Sequence, residues 1–438
     1  RYPDVPCIAV TATADEPTRR DIMQQLGLKK IFVAGFDRPN IRYDVAAKDN
    51  TRRQLLDFLG GRARNESGII YCLSRKKVEE TAEWLKQQKY DALPYHAGLD
   101  NGTRARNQKQ FINNEGVIIV ATIAFGMGIN KPDVRFVAHL DLPQNIEAYY
   151  QETGRAGRDG LPATAIMFYG MQDVALRRKM IADASDTPDE QKRIEQRKLA
   201  VLLGYCEAAD CRRQVLLKYF GDDSQPCGNC DTCLMPPETI DGSLAVQKII
   251  SCVYRTGQIF GAKHIVDVLT GTENEMTRKH NHHTVSTWGV GTEHDRKNWD
   301  SFIRQLATHN YLATDAEGYG GLHITEEGAK FLKEKPEIKL RLPPKRLKRA
   351  ERQSNVGPPD ILENENDKKL FEYLKSLRLM LARDHNIPPY VIFHDKTLID
   401  MVRRRPLSMD SMAQIPGIGT SKLERYGAEF LSIIKNAA

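Results

Sequence analysis

Between residues 31 and 176, short apolar β-rich runs alternate with helix-forming stretches, and this alternation limits the fold more than any other feature. The runs are Gly68–Leu73, Ala92–His96, Val117–Thr122, Val134–Leu140 and Ala163–Tyr169, with helices expected at Lys76–Gln88 and Thr103–Asn113. Runs apolar on both faces and separated by helical lengths belong to a parallel sheet covered on each side. Such sheets take ligands where their strands end. Four segments fall at such ends: Thr11-Ala12-Thr13-Ala14, Tyr71-Cys72-Leu73-Ser74-Arg75, Tyr95-His96-Ala97-Gly98-Leu99 and Val120–Asn130 (VATIAFGMGIN). Each alone reads as a strand and a turn. Together, their hydroxyls, basic groups and glycine backbone suggest a groove for a phosphate backbone.

Outside this region the pattern changes. Residues 1–30 read as a strand, a Thr-rich turn and a helix stopped at Gly27. No domain start precedes that strand and the chain opens on Arg1, so an N-terminally incomplete protein is expected. Charged helices near Asp173–Ala182 and Pro188–Glu207 lead into a cysteine cluster. A helix at Lys297–His309 precedes short alternating runs with turns at Gly318, Gly320 and Gly321. Lys333–Pro359 is proline-rich and basic, a solvated tether, and 363–438 reads as a compact helical domain. The 438 residues allow about two to four domains. A hydrophobic fraction of 41% excludes a disordered chain, and no apolar run reaches the length of a membrane span. Subtracting 57 acidic from 64 basic residues leaves +7, which permits an anionic partner without demanding one.

Eight cysteines are present. Cys7 and Cys72 lie in apolar runs and are expected in the core. Cys227, Cys230 and Cys233 are spaced C-x2-C-x2-C, and Cys211 lies sixteen residues upstream. Short C-x2-C turns set two thiolates about one tetrahedron edge apart, so these four are expected to hold a structural zinc, with an iron–sulfur cluster as the lesser alternative. Four thiolates leave no water position on the metal. His280, His282 and His283 lack thiolate neighbours and read as a solvated loop.

The decapeptide Gln151–Gly160 (QETGRAGRDG) places Arg155 and Arg158 three apart among glycines. Glycines allow close backbone approach to an anion, and an arginine so placed can neutralise charge on a transferring phosphoryl group. A Gly/Arg-rich loop is also an ordinary surface turn.

In this order the segments resemble the RecQ family of DNA helicases in superfamily 2. TATA is similar to motif III, YCLSR to motif IV, VATIAFGMGINKPDVRFVAH to motif V and QETGRAGRDG to motif VI. The resemblance implies a multidomain α/β plus α fold: a RecA-like parallel α/β lobe, a zinc-binding helical subdomain, a winged helix and an HRDC-like helical domain. The expected divisions are 1–30 (end of a first RecA-like lobe), 31–176 (second lobe), 177–237 (zinc subdomain), 238–334 (winged helix), 335–362 (basic linker) and 363–438 (HRDC-like). One departure stands out. The sequence has no G-x-x-x-x-G-K-[ST] phosphate loop and no acidic DExH box, so most of the first lobe is expected to be missing.

By the same resemblance Arg158 is the arginine finger, assisted by Arg155 and oriented by Gln151. Thr11, Thr13, Gly126, Gly128 and Asp159 couple the ATP site to movement. Ser74, Arg75 and Thr122 line the DNA groove, and Arg278, Lys279, Arg296 and Lys297 of the winged helix meet duplex. In the last domain Tyr390 stacks on a base and Lys422 meets phosphate at the Ile415–Gly419 turn; a core tyrosine and a plain helix–helix turn fit those residues equally. Implied partners and cofactors are single-stranded and forked DNA, a single-stranded-DNA-binding protein, structural Zn²⁺, and ATP with Mg²⁺. The implied setting is the bacterial cytoplasm and nucleoid, or a nucleus. The implied activity is 3′-to-5′ unwinding in repair and recombination, with this chain alone inactive as an ATPase. The alternatives are a zinc and winged-helix DNA-binding module without motor activity, and a related motor acting on RNA or chromatin.

Overall fold

The computed structural model describes residues 7–11, 13, 16–62, 64–126, 129–185, 187–314, 321–343, 362 and 364–437. In chain order the elements are α1 (Glu16–Leu26), β1 (Ile41–Ala47), α2 (Thr51–Gly60), β2 (Ser67–Tyr71), α3 (Arg75–Gln87), β3 (Asp91–Tyr95), α4 (Asn101–Asn113), β4 (Val117–Ala121), β5 (Val134–His139), α5 (Ile146–Thr153) and β6 (Ala163–Tyr169). Next come α6 (Met171–Ala182), α7 (Asp189–Glu207), α8 (Arg212–Tyr219), α9 (Asp231–Leu234), β7 (Thr239–Asp241), α10 (Ser243–Arg255), α11 (Ala262–Leu269) and α12 (Glu275–Lys279). They are followed by α13 (Arg296–Thr308), β8 (Leu312–Thr314), β9 (Leu322–Ile324), α14 (Glu326–Glu334) and β10 (Lys339–Arg341). Among the described residues, five C-terminal helices begin with Glu365–Asp384 and end with Thr420–Asn436. The chain forms two compact units, one of Arg38–Asp141, Gln151–Phe168 and Leu347–Ala438, the other of Arg1–Asp37, Leu142–Tyr150 and Tyr169–Arg346.

The first of these units is built on a six-stranded sheet ordered β1-β6-β5-β2-β4-β3. The pairs β2–β4, β2–β5, β3–β4 and β5–β6 are parallel, as the alternation requires. Strands β2 and β4 are buried along their whole length, which is why their sequences are continuous apolar runs. Asn50, Ser74 and Asp100 cap α2, α3 and α4 by accepting the N–H of Arg53, Lys77 and Thr103. The C-terminal helices surround their own core of Leu370, Leu374, Ile392, Met401 and Phe430, and Leu161 of the sheet domain packs against it. Ion pairs fasten the two parts together. Glu115 receives Arg378 Nη2 at 2.6 Å and Lys375 Nζ at 3.1 Å, and Arg378 also meets Asp395 at 2.7 Å.

The second unit packs α10, α11 and α13 around Val246, Ile249, Ile265, Trp299, Phe302 and Leu306, beside the antiparallel hairpin β8–β9. Trp299, Phe302, Ile303 and Leu306 are core, as helical periodicity implied.

Several expectations are corrected. Residues 7–11 form no strand; Cys7 is exposed, as are Ile8 and Val10, because no strand among the described residues pairs with them. β1 and α2 were not expected. Arg42 and Asp44 break the apolar pattern of β1 yet neutralise one another at 3.0 Å. Part of the expected basic tether is a strand, and its residues 344–361 lie outside the described residues. Lys339–Arg341 pairs antiparallel with β7, and Arg341 reaches Glu207 at 2.6 Å, so this part is folded. The 280–283 segment is not simply solvated. His282 is buried and its Nδ1 lies 2.7 Å from His264 Nε2, both packed on Phe260. The turn at Gly318 and Gly320 lies outside the described residues.

Candidate nucleotide and nucleic-acid site with a zinc centre

Strands β2, β3 and β4 are parallel, so the segments that follow them emerge at one edge of the sheet. Ser74, Arg75 and Thr122 lie there. Ser74 Oγ already accepts the Lys77 N–H at 3.2 Å, and the Arg75 side chain runs against Gly98. Thr122 N–H bonds to Tyr95 O at 3.2 Å, which ties two strand ends together.

The stretch from Thr122 to Asp133 leaves the end of β4 and must cross the sheet to reach the start of β5. Both motif VI arginines fasten to it. Arg155 Nη1 donates to Gly126 O, and Arg158 Nη1 donates to Ile129 O at 2.8 Å and Asn130 Oδ1 at 3.1 Å. A Cβ on Gly126 would sit 2.5 Å from Arg155 Nη2, so any side chain there would push the guanidinium aside. Gly128 lies outside the described residues. Tyr71 Oη donates to Phe125 O at 3.0 Å, so the loop is held from the sheet side as well.

The arginine loop is itself clamped. Arg38 donates to Gly154 O, Ala156 O and Gly157 O at 3.2–3.4 Å, and Asn40 Nδ2 donates to Gly157 O and Leu161 O at 2.8 Å. Gly157 adopts φ +56°, and a Cβ there would lie 2.3 Å from Asn40 Nδ2. From the other side Arg135 holds Asp159 at 2.5 Å and the carbonyls of Pro132 and Pro162 at 3.2 Å. Asp159 thus has a buried structural partner rather than a free carboxylate. Gln151 is exposed on α5, and buried Glu152 lies 2.6 Å from His139.

Burial, then the guanidiniums of Arg155 and Arg38, pull the Arg158 pKa downward. Three cations therefore crowd one loop, and among the described residues no carboxylate pairs with them. Such a cluster gains from an incoming anion. Sequence reading missed Arg38, Asn40 and Tyr71. The Asp-Arg-Pro-Asn turn before β1 was the available signal, because a polar turn of that kind usually serves backbone carbonyls.

Other expected residues are dispersed. Thr11 and Thr13 bond to each other in an irregular segment. Arg278 and Arg296 are paired with Glu273 and Asp267 at 2.6 Å, while Lys279 and Lys297 are exposed. Tyr390 is half-buried and stacks on His394, and Lys422 Nζ lies 5.9 Å over the Phe393 ring.

The four expected thiols do converge. Cys211, Cys227, Cys230 and Cys233 place their Sγ atoms within 4.8 Å of one another, with Cys227–Cys233 and Cys211–Cys230 both at 3.9 Å. A tetrahedron with Zn–S bonds of about 2.3 Å has edges of about 3.8 Å, so the residues fit the metal. Cys211 occupies the N-cap position of α8 and Cys230 that of α9. The Cys227 thiol, the Thr232 hydroxyl and the N–H groups of Arg212 and Cys233 favour the Cys230 thiolate and bring its pKa down to about 3, against the opposing effect of burial. Arg212 ties the site together. It donates to Asp231 at 2.9 and 3.2 Å, to Cys206 O at 3.0 Å and to Tyr205 O. Four thiolates would leave no position for water on the metal, which would cross-link α8, the 227–230 turn and α9, a structural role.

Comparison with known proteins agrees with this geometry. Residues 50–160 match the helicase conserved C-terminal domain, 171–234 the RecQ zinc-binding family, 236–349 the RQC domain and 367–434 the HRDC domain. The ATP-dependent DNA helicase RecQ of Haemophilus influenzae is 43% identical over 99% of this chain and 70% of its own length. That of Pasteurella multocida is 41% identical over 99% and 68%. The Bacillus subtilis protein of the same name is 32% identical over 99% and 71%. With the arginine loop, the four-thiol centre and the two domains beyond it aligned along nearly its whole length, the chain belongs to the RecQ family of ATP-dependent DNA helicases.

Proposed function

We propose that this chain supplies the arginine side of an ATP site and the DNA-gripping surfaces of a helicase that unwinds 3′ to 5′ in repair and recombination. The observation that carries this reading is the attachment of both Arg155 and Arg158 to one loop, 126–130, that leaves the end of β4. A phosphate bound against Arg158 shifts the same loop that reaches Thr122 in the groove. ATP binding and DNA grip then change together.

In this reading Arg158 stabilises charge on the transferring phosphoryl group, Arg155 relays its position to Gly126, and Gln151 orients the pair. Thr11, Thr13, Gly128 and Asp159 keep the coupling roles implied by their motifs, Asp159 through its hold on Arg135. ATP and Mg²⁺ need a phosphate loop and an acidic box that this sequence does not contain, so the chain alone binds DNA without hydrolysing ATP. Ser74, Arg75 and Thr122 grip single strands. Arg278, Lys279, Arg296 and Lys297 meet duplex at the fork, and Tyr390 and Lys422 extend the contact. The domain divisions follow the same assignment, save that Lys339–Arg341 of the expected linker is strand β10. A single-stranded-DNA-binding protein is the expected protein partner, in the bacterial cytoplasm of the relatives' setting.

Arg158→Ala in the full-length enzyme tests the reading. DNA-stimulated ATP hydrolysis should fall by about 10³–10⁵ while DNA affinity holds. Unchanged turnover would favour a passive binding module, and robust ATPase activity from the 438 residues alone would refute the division of labour.

A further inference from the structure

A cleft of about 290 Å³ opens where the last turn of α4 faces the end of the Glu365–Asp384 helix, within the first compact unit. Arg106, Lys109 and Arg383 line it with the amides of Gln110, Asn113 and Asn386, and no carboxylate is among its lining residues. Among the described residues no carboxylate pairs with these three cations; Arg106 spends one N–H on the Thr103 hydroxyl at 2.9 Å. Two helices end here, and several of the carbonyls at their ends already have partners. Gln110 O takes the Asn114 N–H, Asn114 O takes Lys131 Nζ, and Leu381 O and Ala382 O take the N–H groups of His385 and Ile387. None of these carbonyls is held by Arg106, Lys109 or the Arg383 side chain. Glu115, adjoining the cleft, is already neutralised by Lys375 and Arg378.

We infer that this cleft binds the phosphodiester backbone of single-stranded DNA, and that it exists only while the C-terminal helical domain is docked on the sheet domain through Glu115. The inference rests on the DNA-binding reading above. No aromatic ring lines the cleft, so bases are not stacked and sequence is not read. A strand lying across both domains favours the docked arrangement, because only that arrangement brings Arg383 opposite Arg106 and Lys109. The C-terminal domain thus becomes a clamp closed by its own ligand.

The test uses the whole 438-residue chain and fluorescein-labelled oligothymidylate, followed by anisotropy across a salt series. R106E/R383E should bind about tenfold more weakly, with a log–log salt slope shallower by about 1.4, two phosphates at about 0.7 each. R106K/R383K, which keeps the charge, should retain wild-type affinity. Glu115→Lys adds a positive charge, so electrostatics alone calls for tighter binding; a docking-dependent cleft calls for weaker. Wild-type affinity and slope in R106E/R383E, or tighter binding by Glu115→Lys, overturns the inference while leaving DNA binding by the chain intact. Absence of oligothymidylate binding by the wild type removes the underlying DNA reading as well. Hydrogen exchange distinguishes the sources of phosphate: the oligonucleotide should protect residues 110–115 and 383–387. Protection by inorganic phosphate alone overturns the polynucleotide assignment.

Discussion

Arg212→Ala probes the zinc centre from one step outside the thiols. The Arg212 side chain is fully buried, and its removal takes the guanidinium away from Asp231, whose side chain is only 18% exposed, and from the carbonyls of Tyr205 and Cys206. Breaking a buried ion pair from one side costs about 3–5 kcal/mol. A domain's whole stability is about 5–15 kcal/mol, so the loss should be plain in a urea titration. Arg212 also sits between ligands: its N–H bonds to Cys230 Sγ at 3.4 Å, and Asp231, its partner, opens the short helix that ends near Cys233. Outer-shell changes of this kind typically weaken metal binding about 10–100-fold, or about 1.4–2.7 kcal/mol. The assay is competition for zinc with a chromogenic chelator, calibrated against Cys230→Ser, which should lose the metal. A chelator curve for Arg212→Ala that overlies wild type would refute the coupling of this arginine to the metal, whatever happened to stability.

Two further outcomes follow from the geometry. Gly126→Ala should displace the Arg155 guanidinium and forfeit its bond to the loop; a charge-assisted bond of about 1.5–3 kcal/mol corresponds to a kcat loss of about ten- to a hundredfold in the full-length ATPase, and a wild-type kcat would refute it. In the winged helix, burial and then the neighbouring His282, with a smaller effect of His280 and against Asp267, hold His264 at about 4, below the ordinary histidine value near 6.5. The unfolded chain binds more protons between these values, so stability should be full above about pH 6.5 and decline as pH falls toward 4. Urea midpoints at pH 7 and 5 should diverge more for wild type than for His264→Gln; equal divergence would refute the assignment.

What the sequence disclosed depended on whether a residue's partner was local. Strand positions and the four thiols were legible because their signals are periodicity and short spacing: Ala163–Tyr169 is observed with the bounds expected of it, and C-x2-C turns fix thiol separation. β1 was hidden because Arg42 and Asp44 cancel only once the strand is formed. His282 looked like loop because its partner, His264, lies eighteen residues away on another helix. Lys339–Arg341 looked like tether because charge composition does not reveal that Glu207, over a hundred residues earlier, waits for Arg341. The Gly126–Arg155 contact was equally invisible: glycine in a loop has many uses, and only the guanidinium lying where a Cβ would be shows which one applies.

The arginines separate into two groups, and the separation explains how a chain of only +7 can present a focused anion site. Arg42, Arg62, Arg135, Arg212 and Arg378 are each paired with a carboxylate, so their charges are largely cancelled and they act as internal fasteners. Arg38, Arg155 and Arg158 are held by backbone carbonyls and, for Arg158, by an asparagine oxygen as well. A carbonyl dipole orients a guanidinium without removing its charge, whereas a carboxylate removes it. Positioning and neutralisation are therefore done by different acceptors, and net charge counts both groups alike. The residues to test first for phosphate contact are those whose hydrogen bonds hold them still while leaving the positive charge uncancelled. By that criterion Arg155 and Arg158 stand ahead of Arg278 and Arg296, whose carboxylate partners would have to be displaced before DNA could take their place.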